Sequence, residues 1–216
     1  MDTLFMGIDV AGRSNTWACL IVEQDDGLTL VNGPARRTLA EIVEAATSNE
    51  VAAAAVDAQL TYALSEENGF RSSDEQLRAL LPAGCRDWVA SQNSLMAVPV
   101  RGRQLAEALA PRVGTLLETH PRACLQFLLP DQSEAVSGYK KKEDPRRQAW
   151  LDALWQGLNA AFSLRGSTPE LDDGVIDSTV CALAAWAYHR VPERLRRLNQ
   201  SASDARGWGP FYVFTR

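Results

Sequence analysis

The sequence predicts an α/β fold built on a mixed β-sheet. Three short apolar segments open the chain with turns between them, which is typical of antiparallel strands joined as a meander. A helical segment then leads into a fourth apolar run, and a crossover of this kind places the fourth strand parallel to the first. The first and fourth strands each end in an aspartate, so both acids are expected at the same edge of the sheet, where α/β proteins place their sites.

Composition narrows the class of protein further. The 216 residues suit one domain, 1–216, with a sizeable core, and 46% hydrophobic and 23% charged residues are ordinary for a globular chain. A net charge of −5 argues against a protein held on nucleic acid by its overall field, although a local basic track would still allow such binding. The chain shows no leader pattern and no apolar run long enough for a bilayer, so we expect a cytoplasmic protein without a membrane partner.

The four cysteines lie far apart and form no C-x-x-C pair, which predicts reduced thiols rather than disulfides or a zinc site. They are Cys19, Cys85, Cys124 and Cys181.

The first quarter of the chain contains the strands that position the two aspartates. Small residues turn the chain directly after Asp9, and the next turn has the strong signal Asp25-Asp26-Gly27. The helix before the fourth strand has apolar residues on one face. The predicted elements are strands Leu4–Asp9, Trp17–Glu23 and Leu28–Asn32, a helix over Thr38–Ser48, and a buried strand over Val51–Val56 that closes at Asp57.

The remainder of the chain is predicted to add helices and one more central strand. Residues 61–112 are expected to form an insertion of helices and loops beside the sheet edge. The last long helix is expected to begin at Ser167-Thr168-Pro169, a capping hydroxyl followed by proline in the first turn. The predicted elements are helices over Asp74–Leu81, Arg103–Leu109 and Arg147–Phe162, a fifth strand over Gly114–Glu118, and a short strand or ordered tail over Trp208–Phe214.

Five acidic residues are candidates for a catalytic metal site. Three of them end strands, and two lie four residues apart and therefore share one face of the last long helix. A pair of Mg²⁺ or Mn²⁺ ions needs several carboxylates, with room left for water and a phosphate. The predicted catalytic residues and metal ligands are Asp9, Asp57, Glu118, Asp173 and Asp177.

Each acid also has a structural explanation. A single aspartate at a strand end, such as Asp57, is usually a turn or cap residue. Asp172 and Asp173 could favour a helix N-terminus through its dipole alone, and for Asp172 this is the interpretation we prefer.

Three further residues are candidates for substrate binding. Arg71 could hold a phosphate by two parallel hydrogen bonds, or could pair with Asp74 to fix the insertion. Lys140, with its neighbour Tyr139, could contact a phosphate, although a lysine run is more often a solvated loop. His120 could act on a substrate, but a hydrogen-bonded structural histidine is commoner.

The motifs G-I-D-V-A-G, V-D-A-Q-L, N-G-F-R-S-S-D, E-T-H-P, Y-K and D-D-G-V-I-D-S-T-V-C-A-L-A-A-W resemble those of domain-of-unknown-function family 429. That family, DUF429, is predicted to consist of nucleases of the ribonuclease H-like superfamily. The resemblance spans nearly the whole chain. It departs at Gln59, where we expect proline, so the loop beyond the fourth strand is expected to differ.

The resemblance implies a ribonuclease H-like fold, with a five-stranded mixed sheet in the order 3-2-1-4-5, strand 2 antiparallel, and helices around it. It also implies site residues: Asp9, Asp57 and Glu118 as the acids of strands one, four and five, and Asp173 or Asp177 as the acid of the C-terminal helix.

Three functions are consistent with these observations. The first is a nuclease that uses two Mg²⁺ or Mn²⁺ ions to hydrolyse phosphodiester bonds in DNA or RNA. The second is a binding or scaffold protein that keeps the fold with a degenerate site and no bound metal. The third is an actin-like phosphotransferase, which the sequence disfavours because Asp9–Gly12 offers only a sparse phosphate loop and the chain is short for two such domains.

Overall fold

The computed structural model describes residues 3–24, 27–62, 68–95, 97–200 and 207–215. The Asp25-Asp26 part of the predicted turn lies outside these ranges. The strands are β1 Leu4–Asp9, β2 Trp17–Gln24, β3 Gly27–Arg36, β4 Val51–Asp57, β5 Val113–Glu118, β6 Leu164–Arg165, β7 Leu195–Leu198 and β8 Phe211–Phe214. The α-helices are α1 Leu39–Ser48, α2 Ser72–Leu80, α3 Ala97–Leu109, α4 Pro121–Leu128, α5 Ser133–Gly138, α6 Arg147–Phe162 and α7 Asp173–Arg190. Short 3₁₀ helices cover Ala83–Trp88, Pro130–Gln132 and Pro192–Arg194.

In the described part of the chain, these strands form one sheet in the order β6-β3-β2-β1-β4-β5-β8-β7. β2 is antiparallel to both of its neighbours, and β4 and β5 run parallel to β1. The predicted α/β class with a mixed sheet flanked by helices is confirmed. The sheet has eight strands rather than the five predicted, because β6, β7 and β8 extend its two sides.

β3 is longer than predicted. It continues beyond Asn32 through Gly33 and Pro34 to Arg36, although proline and glycine usually end a strand. Its second neighbour, β6, pairs only with Leu28 and Thr29, so Pro34 lies where no hydrogen bond to β6 is required. This edge position is the one at which a sheet tolerates proline.

The sheet is buried on both faces. On one face α1 and α3 cover β1 and β4, with Ile42 and Leu105 packing among Met6, Ile8 and Val56. A capping box fixes the start of α1: the Thr38 hydroxyl accepts from Glu41 N–H, and the Glu41 carboxylate accepts from Thr38 N–H. On the opposite face α7 packs against β1, β2 and β4 within the larger core.

α7 lies directly against β1 at Gly7. A Cβ atom added there would lie 2.1 Å from both Ser178 O and Ala182 N, so only glycine permits this approach. Nearly every residue of α7 from Gly174 to Ala187 is buried. The contact brings the N-terminal part of α7 to the end of β1, where Asp9 lies.

The predicted start of α7 was wrong. The helix begins at Asp173, and residues 167–172 are not helical. Asp172 is the N-cap residue, since its backbone is extended and its carboxylate accepts a hydrogen bond from Asp173 N–H at 2.9 Å. The role preferred for Asp172, at the helix N-terminus, is therefore confirmed.

The segment between β4 and β5 contains α2, a 3₁₀ turn and α3. The predicted helix at Asp74–Leu81 is confirmed as α2, which begins two residues earlier, and α3 begins six residues before the predicted Arg103. The predicted helix Arg147–Phe162 is confirmed as α6. All four cysteines are free thiols, as predicted. Of the helices in the described ranges, none combines the length and apolar character needed to cross a membrane.

Candidate metal site

Three aspartates converge at the edge of the sheet where β1 and β4 end. Asp9 and Asp57 are register partners on these parallel strands, so their side chains lie side by side on one face. α7 covers that face and contributes Asp177, which is buried. One carboxylate oxygen from each residue lies within 4.8 Å of one from each of the others. The three strand and helix positions therefore bring three negative charges into one small volume.

This crowding is electrostatically unfavourable without a cation. Burial raises the pKa of Asp9 well above its ordinary value, and the charges of Asp177 and Asp57 raise it further. Burial likewise raises the pKa of Asp57 to about 7; the charge of Lys140 opposes this, while Asp177 and Glu118 add to it. Carboxyl groups with raised pKa values in a cleft are typical of functional sites.

Lys140 supplies the positive charge nearest to Asp177. Its Nζ atom lies 2.6 Å from Asp177 Oδ2, an ion pair that lacks the directionality of a good hydrogen bond. The other oxygen, Oδ1, accepts a hydrogen bond of 2.6 Å from the hydroxyl of Tyr139, which is fully buried. Burial alone would lower the pKa of Lys140, but the charges of Asp177, Tyr139, Asp9 and Asp57 outweigh it and keep the lysine protonated.

The cluster opens into a cavity of about 340 Å³. Asp9, Asp57, Lys140 and Asp173 line one part of it. Its other walls come from the loop after β4, the end of β5 and the segment around Trp88. Solvent therefore reaches Asp9 and Asp57 through a cleft of the size that takes a small ligand, whereas Asp177 is buried behind them.

Glu118 lines the same cavity but is bound to Arg71. Its two oxygens accept hydrogen bonds of 2.5 and 2.8 Å from the Arg71 guanidinium, and Oε2 also accepts from Leu60 N–H at 2.9 Å. β5 pairs Glu118 with Val56, one residue before Asp57, and strand alternation turns Glu118 to the opposite face from Asp57. Glu118 therefore lies outside the group of three, and as a metal ligand it stays a prediction.

Asp173 is also paired. It shares the guanidinium of Arg147 with Asp172, and the contact between Arg147 Nη2 and Asp173 Oδ1 is 2.7 Å. Burial raises the pKa of Asp173, and the hydrogen bond and charge of Asp172 add to this effect. Of the two helix acids, Asp177 lies in the carboxylate group and Asp173 lies at its margin.

The three residues predicted to bind substrate are held by protein partners. Arg71 is fully buried, with its guanidinium divided among Asp74, Glu118 and Thr61. The contacts of Arg71 match the second of its two predicted roles, an ion pair with Asp74 that fixes the insertion. His120 caps α4: Nδ1 accepts from Ala123 N–H at 3.2 Å, and Nε2 lies 3.2 Å from Trp88 O. Burial lowers the pKa of His120, so the ring is neutral.

The sequence did not predict the roles of two residues near the site, Arg147 and Gln59. Arg147 compensates the two aspartates at the start of α7, and no spacing in the Lys140–Arg147 charge run distinguishes it. Gln59 donates to Asp74 Oδ2 and Ala90 O, each at 3.1 Å, and its Oε1 is buried without a hydrogen-bond donor among the described residues. Its replacement of the expected proline was the only signal for this residue.

A comparison with protein families gives one match. The family model described as "Protein of unknown function (DUF429)" covers residues 7–114, which is half of the chain. The chain belongs to DUF429. Comparisons with curated proteins and with solved structures gave no match. The matched segment of this DUF429 protein contains Asp9 and Asp57 but ends before Lys140 and Asp177.

The residues of the DUF429 site fit a hard divalent cation. Their donors are carboxylate oxygens, the ligand type that Mg²⁺ and Mn²⁺ prefer, and no soft thiolate belongs to the group. The Asp177 Oδ2 atom, buried without a good hydrogen bond, has coordination capacity left. A second ion would need further ligands, and Glu118 and Asp173 are each engaged by arginine.

Proposed function

We propose that this DUF429 protein is a metal-dependent nuclease with a ribonuclease H-like fold, which hydrolyses phosphodiester bonds in DNA or RNA. One observation carries the proposal: Asp9, Asp57 and Asp177 come from three different elements, yet their oxygens lie within 4.8 Å of one another, beside a cavity that Asp9 and Asp57 line. Burying uncompensated charges is costly, and such a cluster is retained most readily where it binds a cation.

The topology supports the ribonuclease H-like part of the proposal. The first five strands stand in the order β3-β2-β1-β4-β5 with β2 antiparallel, and α7 places its acid beside those of β1 and β4. The additional strands lie at the sides of this unit and leave the acidic edge open.

A bound Mg²⁺ or Mn²⁺ ion would be held by Asp9, Asp57 and Asp177, and would supply Lewis acidity toward a phosphate and a water of lowered pKa. The protein's own groups orient these ligands: the strand register aligns Asp9 with Asp57, and Tyr139 fixes the rotation of the Asp177 carboxylate. Lys140 faces the cavity with a positive charge, and Lys141 and Lys142 are exposed beside it. This local basic segment supports contact with a phosphate backbone despite the net charge of −5.

A second candidate, a non-catalytic binding protein, is favoured by one observation. Two of the five predicted ligands, Glu118 and Asp173, are engaged by arginine, as expected of a site that has lost part of its metal-binding function. The two candidates differ in their response to metal. A bound ion stabilises the native state by mass action, by about 2.7 kcal/mol at a hundred times Kd, whereas a site that binds no metal gives no shift.

The test is cleavage of labelled single-stranded, duplex, hybrid and branched nucleic acids by purified protein, with Mg²⁺, with Mn²⁺, and with chelator. We expect metal-dependent cleavage of at least one substrate. Asp9→Asn should abolish it, and Asp87→Asn, an exposed aspartate in a 3₁₀ turn, should leave it unchanged. Cleavage that survives both chelator and Asp9→Asn would refute the mechanism. Failure to cleave any substrate, together with no metal-induced rise in Tm, would favour the non-catalytic protein.

A further inference from the structure

Lys140 forms an ion pair with one of the three clustered carboxylates and lines the same cavity. Its ammonium lies 2.6 Å from Asp177 Oδ2, and Asp177 is one of the three clustered carboxylates. Asp177 retains 1% of its side-chain exposure, whereas the Lys140 side chain retains 36% along the cavity wall. A positive charge therefore lies between a buried carboxylate and the open cavity.

The backbone that carries Lys140 is held in place. Tyr139 is buried and its N–H donates to Ala135 O at 2.9 Å, while its carbonyl accepts from Arg147 Nε at 3.0 Å. Gly138 lies so close to Trp150 that an added Cβ would be 2.3 Å from the indole ring. Packed structure thus presents Lys140 to the carboxylates, and its ion pair with Asp177 distinguishes it from its exposed neighbours Lys141 and Lys142.

The charges of the site allow a simple balance. Asp172 and Asp173 are paired with two arginines, Arg36 and Arg147, whereas Asp74 and Glu118 share the single charge of Arg71. The group formed by Asp9, Asp57 and Asp177 contributes three negative units when all three are ionised. One ammonium reduces their charge from three negative units to two. A single divalent ion completes the neutralisation, whereas two divalent ions beside Lys140 would leave an excess of positive charge.

From this arrangement we propose that Lys140 replaces the second metal ion, so that the site takes one divalent cation, Mg²⁺ or Mn²⁺, beside a lysine. The inference rests on the proposed metal site and replaces the two-ion expectation. Lys140 acts here as a positioning residue: it holds Asp177 and compensates its charge, and a bound phosphate would meet a fixed ammonium on that side of the cavity.

The test counts Mn²⁺ ions per chain, by calorimetric titration and by metal analysis after equilibrium dialysis, with no substrate present. We expect one ion for the wild-type protein. Lys140→Met keeps most of the side-chain length and removes the charge, so the vacated position should accept a second ion. Lys140→Arg, which keeps the charge, and Lys142→Met, the matched exposed control, should each bind one ion.

Two bound ions in the wild-type protein would overturn the inference, as would a folded Lys140→Met variant that still binds one. Circular dichroism and Tm test whether Lys140→Met is folded. If it is unfolded, the numbers of Mn²⁺ ions bound per chain by the wild-type protein and by Lys140→Arg decide the outcome. Failure of the two proposals is distinguishable. One bound ion without cleavage of any nucleic acid would refute the nuclease and keep this inference, whereas no bound ion would refute both.

Discussion

Replacing Asp57 by asparagine should stabilise the metal-free protein. The side chain keeps its shape and loses the charge that is repelled by its neighbours. In the folded state, burial raises the pKa of Asp57 from an ordinary value of 3.8 to about 7. The charge of Lys140 opposes this shift, and the charges of Asp177 and Glu118 add to it. Ionisation of this carboxylate in the folded state, which occurs above pH 7, therefore lowers the free energy of unfolding of the wild-type protein.

The sign and size of the effect follow from proton linkage. Between pH 4 and 7 the unfolded chain has Asp57 ionised while the folded protein keeps it protonated, so stability falls as pH rises through this window. The difference of about three pKa units corresponds to an upper limit of about 4 kcal/mol. Because part of the Asp57 side chain faces the solvated cavity, we expect the stability difference between Asp57→Asn and wild type to be about 2 kcal/mol.

The assay is urea unfolding of wild-type protein and Asp57→Asn in chelator at pH 5 and pH 8. Asp57→Asn should be more stable than wild type at pH 8 by about 2 kcal/mol, and less than half of this difference should remain at pH 5, because the lower pH is close to the ordinary pKa of an aspartate. Mn²⁺ should stabilise the wild-type protein and have little effect on the variant. The matched control is Asp87→Asn, an exposed aspartate whose replacement should change neither result. Equal or lower stability of Asp57→Asn at pH 8 would refute the account of unfavourable carboxylate crowding.

Two further substitutions test how the site is held together. Gly7→Ala should destabilise the protein by about 1–3 kcal/mol or more and weaken Mn²⁺ binding, because the added Cβ would overlap the backbone of α7. The control is Gly12→Ala, which should have neither effect because no atom lies within 4 Å of its added Cβ. Equal urea midpoints for the two variants would contradict the close contact of α7 with β1. Glu118→Gln should lower the free energy of unfolding by about 3–5 kcal/mol, because the buried charge of Arg71 loses part of its compensation. The folded variant should bind Mn²⁺ as tightly as wild type. The control is Glu107→Gln at an exposed position. Lost Mn²⁺ affinity with unchanged stability would instead make Glu118 a ligand.

The central strands could be predicted because their signals are local. The apolar run ending in Asp9, the turn after it and the crossover through α1 determine that β1 and β4 are parallel neighbours, and this suffices to place Asp9 beside Asp57. β6 and β7 carry no comparable signal. β6 has two residues, and β7 reads Leu-Arg-Arg-Leu, with both arginines exposed.

The site could be predicted only where it depends on strand ends. Whether Glu118 meets the other acids depends on the register of β5 against β4, and a shift of one residue turns it to the other face. The pairing of Arg71 with Asp74 is local and was predicted, but the pairings of Arg71 with Glu118 and of Lys140 with Asp177 join residues 47 and 37 positions apart, which no local pattern encodes. The start of α7 was misplaced because Ser167-Thr168-Pro169 carries the same cap signal that Asp172 provides in the structure.

The central claim is that aspartates from β1, β4 and α7 together hold a divalent cation. The most direct measurement is anomalous diffraction at the manganese edge from crystals grown with Mn²⁺. The account predicts an anomalous peak within coordination distance of oxygens from Asp9, Asp57 and Asp177. Crystals of a folded, Mn²⁺-saturated protein with no peak there, or with a peak only at exposed carboxylates, would contradict it.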